Sequence, residues 1–211
     1  MLTKRVSTIP RPRPKRSDGN LKEAILDAAR RLCFAEGADG VSARKIARQV
    51  GCSATAIYLY YRNIDDVLHH LRMEGHALLA DYFRRVDTSL EPAARLLEMG
   101  RAYYRFGIEH PKYYELMFLS RFEETPRREF TQREIFTLLL VRDVVKEAID
   151  SATIRRDLDP MILANALWSN VHGLTSLAVT GLLLQTAARA EEVLDAVLME
   201  IARFLLPSTG S

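Results

Sequence analysis

Residues 46–61, IARQVGCSATAIYLYY, place a small residue, a glycine and a β-branched residue at Ala47, Gly51 and Ile57. Each suits one job in a local arrangement. Ala47 lets two helices cross steeply, Gly51 is at ease with the positive φ of a tight turn, and Ile57 pins the following helix onto the preceding one. The spacing predicts a helix-turn-helix. Its first helix begins after Ser42, a good N-cap, with Val41 and Ile46 at the spacing of a hydrophobic staple. Lys45 at the third position leaves no reciprocal capping box. Ser53 caps a following helix expected from Ala54 through Tyr61. Upstream, from Asn20, Leu21, Ile25, Ala28 and Leu32 recur at helical steps, widened by Ala24 and Ala35, until Gly37 and Gly40 end the pattern. Three helices in this order form one module.

Charge falls on the same stretch. The net charge of +3 hides a split: residues 1–63 carry 13 Lys/Arg against 5 Asp/Glu, while residues 64–211 carry 17 against 22. A basic third on an acidic remainder points to one end that meets a polyanion. Residues 1–17 form a basic arm in which Pro10, Pro12 and Pro14 forbid a helix, so a flexible extension is expected, suited to phosphates or a minor groove.

On the second helix of the motif, Ile57, Tyr61 and Ala54 face inward and Ser53, Thr55, Ala56, Tyr58, Leu59 and Arg62 outward. That outer face has no Asn, Gln, Asp or Glu. Base reading therefore leans on apolar contact with thymine methyls and on Ser53 or Thr55. Arg44 is the candidate for a bidentate contact to guanine or phosphate, and Tyr58 and Tyr60 for hydroxyl donation to phosphate. Tyr61 is expected in the core.

The run from Val41 to Val67, VSARKIARQVGCSATAIYLYYRNIDDV, resembles the DNA-binding module of the TetR family of bacterial transcriptional regulators. The pattern falls on Gly51, Ser53, Ile57 with Tyr58, Tyr60 with Tyr61, and Asp65 with Asp66. One position departs: Ile64 stands where the family usually has a phosphate-binding lysine, and Arg62 is the candidate substitute. Trp168, His172 and Gly173, with the run HPKYYELMF (110–118), resemble the Trp-His-Gly signature of one C-terminal subclass. The resemblance implies DNA contacts from the start of the second helix, the recognition helix and the start of the fourth. It also implies a C-terminal helical dimer that responds to a ligand.

The remainder reads as helices. Asn63 can cap a long fourth helix with Ile64, Val67, Leu68, Leu71, Leu78, Leu79, Tyr82, Phe83 and Val86 on one face. Pro92, Pro111, Pro126 and Pro160 then punctuate helices with no strand-like alternation between them. The expected architecture is all-α: residues 18–78 as a helix-turn-helix DNA-binding domain, and residues 79–211 as a helical-bundle ligand-binding and dimerisation domain. A helix from Pro160 to about Leu184 is apolar nearly all round and would be buried on two sides. With the final helix carrying Val193, Leu194, Val197, Leu198, Ile201, Phe204 and Leu205, it offers a four-helix interface between two subunits. A two-fold dimer predicts a palindromic double-stranded DNA operator. Tyr103, Tyr104, Phe106, Met117, Phe118, Trp168 and His172 are the candidate lining for an apolar small-molecule effector.

Other classes fit less well. The charge-free run Met161–Leu184 is long enough to span a bilayer, yet its Asn165, Ser169, Asn170, His172, Thr175, Ser176 and Thr180 argue against a membrane. Cys33 and Cys52 build neither a disulfide framework nor a zinc site, and the charged start is not followed by an apolar run as in a signal peptide, so a cytoplasmic, nucleoid-associated protein is expected. His69, His70 and His76 lack partners for a usual metal set, and no cofactor is expected. No nucleophile, base and oxyanion set can be assembled for an enzyme. A sequence-independent DNA-compacting protein remains the alternative, recognisable by steep salt dependence without a preferred site. The best reading is a sequence-specific regulator, most naturally a repressor released by its ligand.

Overall fold

The computed structural model describes residues 18–120, 135–157, 159–184 and 187–206. Among these the chain forms nine α-helices and no strand. They are α1 (Asp18–Glu36), α2 (Ala43–Val50), α3 (Ala54–Ile57), α4 (Ile64–Arg84), α5 (Pro92–Glu109), α6 (Pro111–Tyr114), α7 (Phe136–Asp150), α8 (Pro160–Val179) and α9 (Ala187–Leu205). A 3₁₀ turn, Ala38–Gly40, follows α1, and α6 runs into a π-helical turn, Glu115–Leu119. The chain divides into two compact units after Val67, inside α4. The basic arm of residues 1–17 and Pro126 lie outside the described residues.

In the first unit, Ile25, Ala28, Ala29, Leu32 and Cys33 are the buried stripe of α1. Ala35, expected on that stripe, is exposed, and Ala29 and Cys33 widen it on the other side. Ser42 caps α2 by accepting the Lys45 backbone N–H at 3.4 Å. The Lys45 ammonium reaches back to Glu36 Oε2 at 2.5 Å and to the Gly40 carbonyl at 2.9 Å, so the residue that abolishes a capping box ties the end of α1 to α2. Ile46 and Ile57, fully buried, with Ala47 complete the small core.

Helix α3 is shorter than the spacing predicts. Beyond Ile57 the backbone breaks into turns, with i→i+3 bonds from Tyr58 N–H to Thr55 O and Tyr60 N–H to Ile57 O and an i→i+4 bond from Tyr61 N–H to Ile57 O. The i→i+3 turns are tighter than an α-helical turn and are tolerated only over short runs. Asn63 then caps α4, its side-chain oxygen accepting the Asp66 N–H at 2.7 Å.

The second unit is a bundle centred on α5, which packs against α7, α8 and α9. Pro92, Pro111 and Pro160 each open a helix at its first turn, where the missing N–H costs nothing. The core joins Leu96, Met99 and Phe106 of α5 to Leu163, Leu167, Val171 and Leu174 of α8 and to Leu194, Leu198 and Ile201 of α9. Asp159 caps α8 through the N–H groups of Met161 and Ile162. Helix α8 stops at Val179, short of the expected Leu184. Gly181 takes φ +72°, and the Leu182 and Leu183 N–H groups both turn back to Leu177 O, so conformation ends the helix while hydrophobicity continues. Within the chain α8 buries one face; Ile162, Asn165, Ser169, Asn170, Gly173 and Leu177 are exposed along the other. No helix among the described residues is long and apolar enough to cross a membrane.

Candidate nucleic-acid interface and effector cluster

The turn of the helix-turn-helix is built on Gly51, whose φ of 78° and ψ of 36° are left-handed. Its N–H and that of Cys52 both donate to Ala47 O, at 2.8 and 3.1 Å, which closes α2 and redirects the chain. Ser53 Oγ then accepts the Ala56 N–H at 3.1 Å and starts α3. Ile57 and Tyr61 are buried, and the Tyr61 hydroxyl donates to the Lys22 carbonyl of α1 at 3.3 Å, so Tyr61 is a packing residue. Outward stand Ser53, Thr55, Tyr58, Leu59 and Arg62, with Ala54, Ala56 and Tyr60 half-buried. Tyr58 is 51% and Leu59 78% exposed, so two adjacent large side chains of the motif face solvent.

The flanks of this face are basic. Arg44 and Arg48 on α2 are exposed. The Arg62 side chain is 89% exposed, with its guanidinium 3.6 Å from Asp66 Oδ1, while its backbone N–H donates to Asp66 Oδ2 at 2.8 Å. The backbone at the start of α4 is thus fixed by Asp66, and the Arg62 cation remains at the surface. An aliphatic and hydroxyl-bearing centre between cations is chemistry suited to thymine methyls flanked by phosphates.

In the second unit an aromatic cluster surrounds His172. Its Nδ1 lies 2.9 Å from both the Tyr103 and the Tyr114 hydroxyls. One lone pair cannot accept both. The Tyr114 hydroxyl also lies 3.1 Å from the His172 carbonyl, and Trp168 Nε1–H donates to the Tyr103 oxygen at 3.2 Å. Trp168 donates to Tyr103, and the two tyrosine hydroxyls divide the His172 Nδ1 and carbonyl between them. Burial lowers the His172 pKa. Burial, then the neighbouring Tyr114, pushes the Tyr103 hydroxyl well up, and burial raises Tyr114 too. The network is neutral. Phe118 closes it, with its ring 5.1 Å from Tyr114 and 5.3 Å from His172 between centroids.

This cluster also touches α4. Met117 packs on Gly75, where an added Cβ would stand 2.4 Å from its sulfur. The Tyr113 hydroxyl donates to Glu74 at 3.1 Å, and the Phe118 ring lies 5.9 Å from that of His76. One π-helical turn therefore contacts the cluster and α4 together. A narrow apolar cavity of about 40 Å³ lies beside Tyr103 and Trp168, bounded also by Gly100, Val141, Leu167 and Leu198.

Residues 25–71 match the model of bacterial regulatory proteins of the tetR family, and residues 96–201 match that of the tetracyclin repressor-like C-terminal domain. The second match alone covers half of the chain. The chain belongs to the TetR family of transcriptional regulators. The regulator is similar to the HTH-type transcriptional regulator YobS of Bacillus subtilis, at 25% identity over 89% of this chain and 92% of that protein. It is also similar to the HTH-type regulator Rv1816 of Mycobacterium tuberculosis, at 29% identity over 50% of this chain and 47% of that protein. Among solved structures it shares its fold with a protein of unknown function from Rhodococcus sp. RHA1, with a TM-score of 0.71, 24% identity and coverage of 93% and 99%. It also shares the fold of the regulator FadR from Bacillus subtilis in complex with stearoyl-CoA, with a TM-score of 0.63, 18% identity and coverage of 83% and 97%.

Of the residues the sequence nominates for an effector site in this TetR-family regulator, Tyr103, Phe118, Trp168 and His172 come together. Phe106 instead packs against Tyr82 and His110, Tyr104 lines a groove with Ile108 and Leu183, and Met117 turns to α4. Tyr114 is central and was not nominated. It stands four residues before Phe118, and that spacing alone puts both rings on one helical face.

Proposed function

We propose that this TetR-family regulator binds, as a homodimer, a palindromic DNA operator and represses transcription until a small apolar effector releases it. Residues 18–78 act as the DNA-binding domain and residues 79–211 as the effector and dimerisation domain. The observation that carries the DNA reading is the exposed Thr55, Tyr58, Leu59 face held outward by buried Ile57 and Tyr61 and flanked by Arg44 and Arg62. In this reading Ser53, Thr55, Ala56 and Leu59 meet base edges, and Tyr58, Tyr60, Arg44 and Arg62 meet phosphates or guanine. A DNA operator places the working protein in the cytoplasm, on the nucleoid.

The exposed stripe of α8 supports the dimer. Its Ser169, Asn170 and Gly173 are small or hydrogen-bonded back to their own helix, which permits close approach of a second α8, and Met199 and Phe204 of α9 add exposed apolar surface.

An effector acts through the aromatic cluster. The existing cavity is far below the roughly 300–1,000 Å³ of a typical ligand site, so binding requires displacement of Tyr103 or Trp168, which line it, and with them of the Tyr114 and Phe118 rings they touch. Through Met117 and Gly75 that displacement bears on α4, whose first turn belongs to the DNA-binding unit. Lowering operator affinity a hundredfold needs a differential binding energy of about 2.7 kcal/mol, within the usual range for coupled sites. The test is a thermal-shift screen of apolar compounds, followed by titration of each hit against operator DNA with sedimentation in parallel. A hit that weakens DNA binding at least tenfold while the protein stays dimeric supports the reading; hits that stabilise the protein and leave DNA affinity unchanged overturn it.

A further inference from the structure

Between the end of α4 and the outer face of α5 lies a groove of about 620 Å³ that neither the operator nor the effector cluster uses. Its lining includes the aliphatic Val86, Leu90, Leu97 and Ala102. Its lining also carries three arginines and three carboxylates, and four of those six charges are engaged within the protein. Arg101 pairs with Asp195 and, at 3.2 Å, with Glu98. Asp87 accepts the Ser89 N–H at 2.8 Å, and Glu109 accepts the Tyr82 hydroxyl. Arg85 and Arg105 are exposed and form no ion pair with a described residue.

Both cations line the groove beside Tyr82. The Arg85 guanidinium lies over the Tyr82 ring, 5.4 Å from its centroid. Burial and then Glu109 raise the Tyr82 pKa, and Arg85 and Arg105 both act against that rise, so both are within electrostatic reach of the same hydroxyl. Two guanidiniums beside an aliphatic trough of ligand-sized volume complement one kind of molecule. We propose that this groove binds an amphipathic anion, with a carboxylate or phosphate head held by Arg85 and Arg105 and an aliphatic chain along Val86, Leu90 and Leu97. The inference does not rest on the operator or effector readings.

Calorimetric titration of the full chain with dodecanoate, dodecyl phosphate and dodecanol, each below the concentration at which it self-associates, tests it. At least one anion binds tenfold or more tighter than the alcohol; binding by dodecanoate alone identifies a fatty acid, and by dodecyl phosphate alone a phosphorylated lipid. Shortening the chain weakens binding by up to about fourfold per methylene removed. The Arg85→Gln/Arg105→Gln double variant, changed only at exposed positions, melts like the native protein, loses tenfold or more in affinity for the anion and keeps its affinity for dodecanol. Equal binding of anion and alcohol, no binding of either anion, or unchanged anion binding in the double variant overturns the proposal. Trp168, the single tryptophan, adds a check: anion binding that survives the double variant and shifts Trp168 emission belongs to the aromatic cluster and refutes the groove.

Discussion

Gly107 of α5 packs closely against Thr175 of α8, and Gly107→Ala tests whether that closeness sets the effector cluster. A Cβ there would stand 2.3 Å from Thr175 Cγ2 and 3.3 Å from Tyr114 Cδ2. Carbon atoms rest at about 3.5–4.0 Å, so the new methyl is more than about 1 Å too close. Thr175 cannot turn aside cheaply: it is fully buried, β-branched, and its hydroxyl is held by Val171 O at 2.8 Å. Overpacking of this kind costs about 1–3 kcal/mol, and the helix preference of Ala over Gly returns about 1 kcal/mol. The expected net loss is about 0–2 kcal/mol, a fall of up to about 4–8 °C in Tm for a chain of this size.

Thr175→Ser isolates the cause, because serine lacks Cγ2 and keeps the hydroxyl. Alone it costs about 1 kcal/mol, the loss of one buried methyl. In the double variant the alanine methyl occupies the vacated space, and the two changes couple favourably by about 1–3 kcal/mol. Urea melts followed by circular dichroism supply the four stabilities. Gly107 is one turn from Tyr103 and Thr175 three residues from His172, so Gly107→Ala alone also shifts Trp168 emission and the double variant restores it. A Gly107→Ala protein that gains about 1 kcal/mol, with additive behaviour in the double variant, refutes the close contact.

Two further predictions concern the DNA face and the buried histidine. Arg44→Ala and Tyr58→Ala each cost about 1–3 kcal/mol of operator binding by anisotropy and leave the melting curve unchanged; equal losses of stability and binding mark them as structural. His76 is lowered from 6.5 to about 4 by burial, then by His69 and Arg72. Its native form resists the proton that the unfolded chain accepts, so its contribution to stability is complete above pH 6.5 and is lost as pH falls toward 4, on the order of 3 kcal/mol in all. His76→Gln flattens that part of the stability profile between pH 7 and 4; an identical pH dependence in the variant rejects the assignment.

What the sequence revealed follows the range of the interactions involved. The helix-turn-helix was legible because Ser42, Gly51, Ser53 and Asn63 act on backbone groups two to four residues away. The end of α3 was not, since the break into mixed i→i+3 and i→i+4 turns after Ile57 leaves no mark in residue type. Gly181 stopped α8 inside an unbroken apolar run, where hydrophobicity and backbone conformation disagree and conformation wins. The aromatic residues of the C-terminal unit were visible as a set, but their grouping depends on which face of α5 meets α8. That register is set by long-range contacts such as Gly107 against Thr175. Tyr114 could have been found from its helical spacing to Phe118, whereas the Arg85 and Arg105 groove needed the fold.

The central claim, a specific two-fold regulator, is tested most directly by selecting the purified protein on a random DNA duplex library at two salt concentrations and sequencing the survivors. The account predicts a palindromic site that persists at the higher salt, with thymines at the positions facing Thr55, Ala56 and Leu59. Recovery of no consensus, with binding lost steeply as salt rises, contradicts it and leaves electrostatic attachment alone.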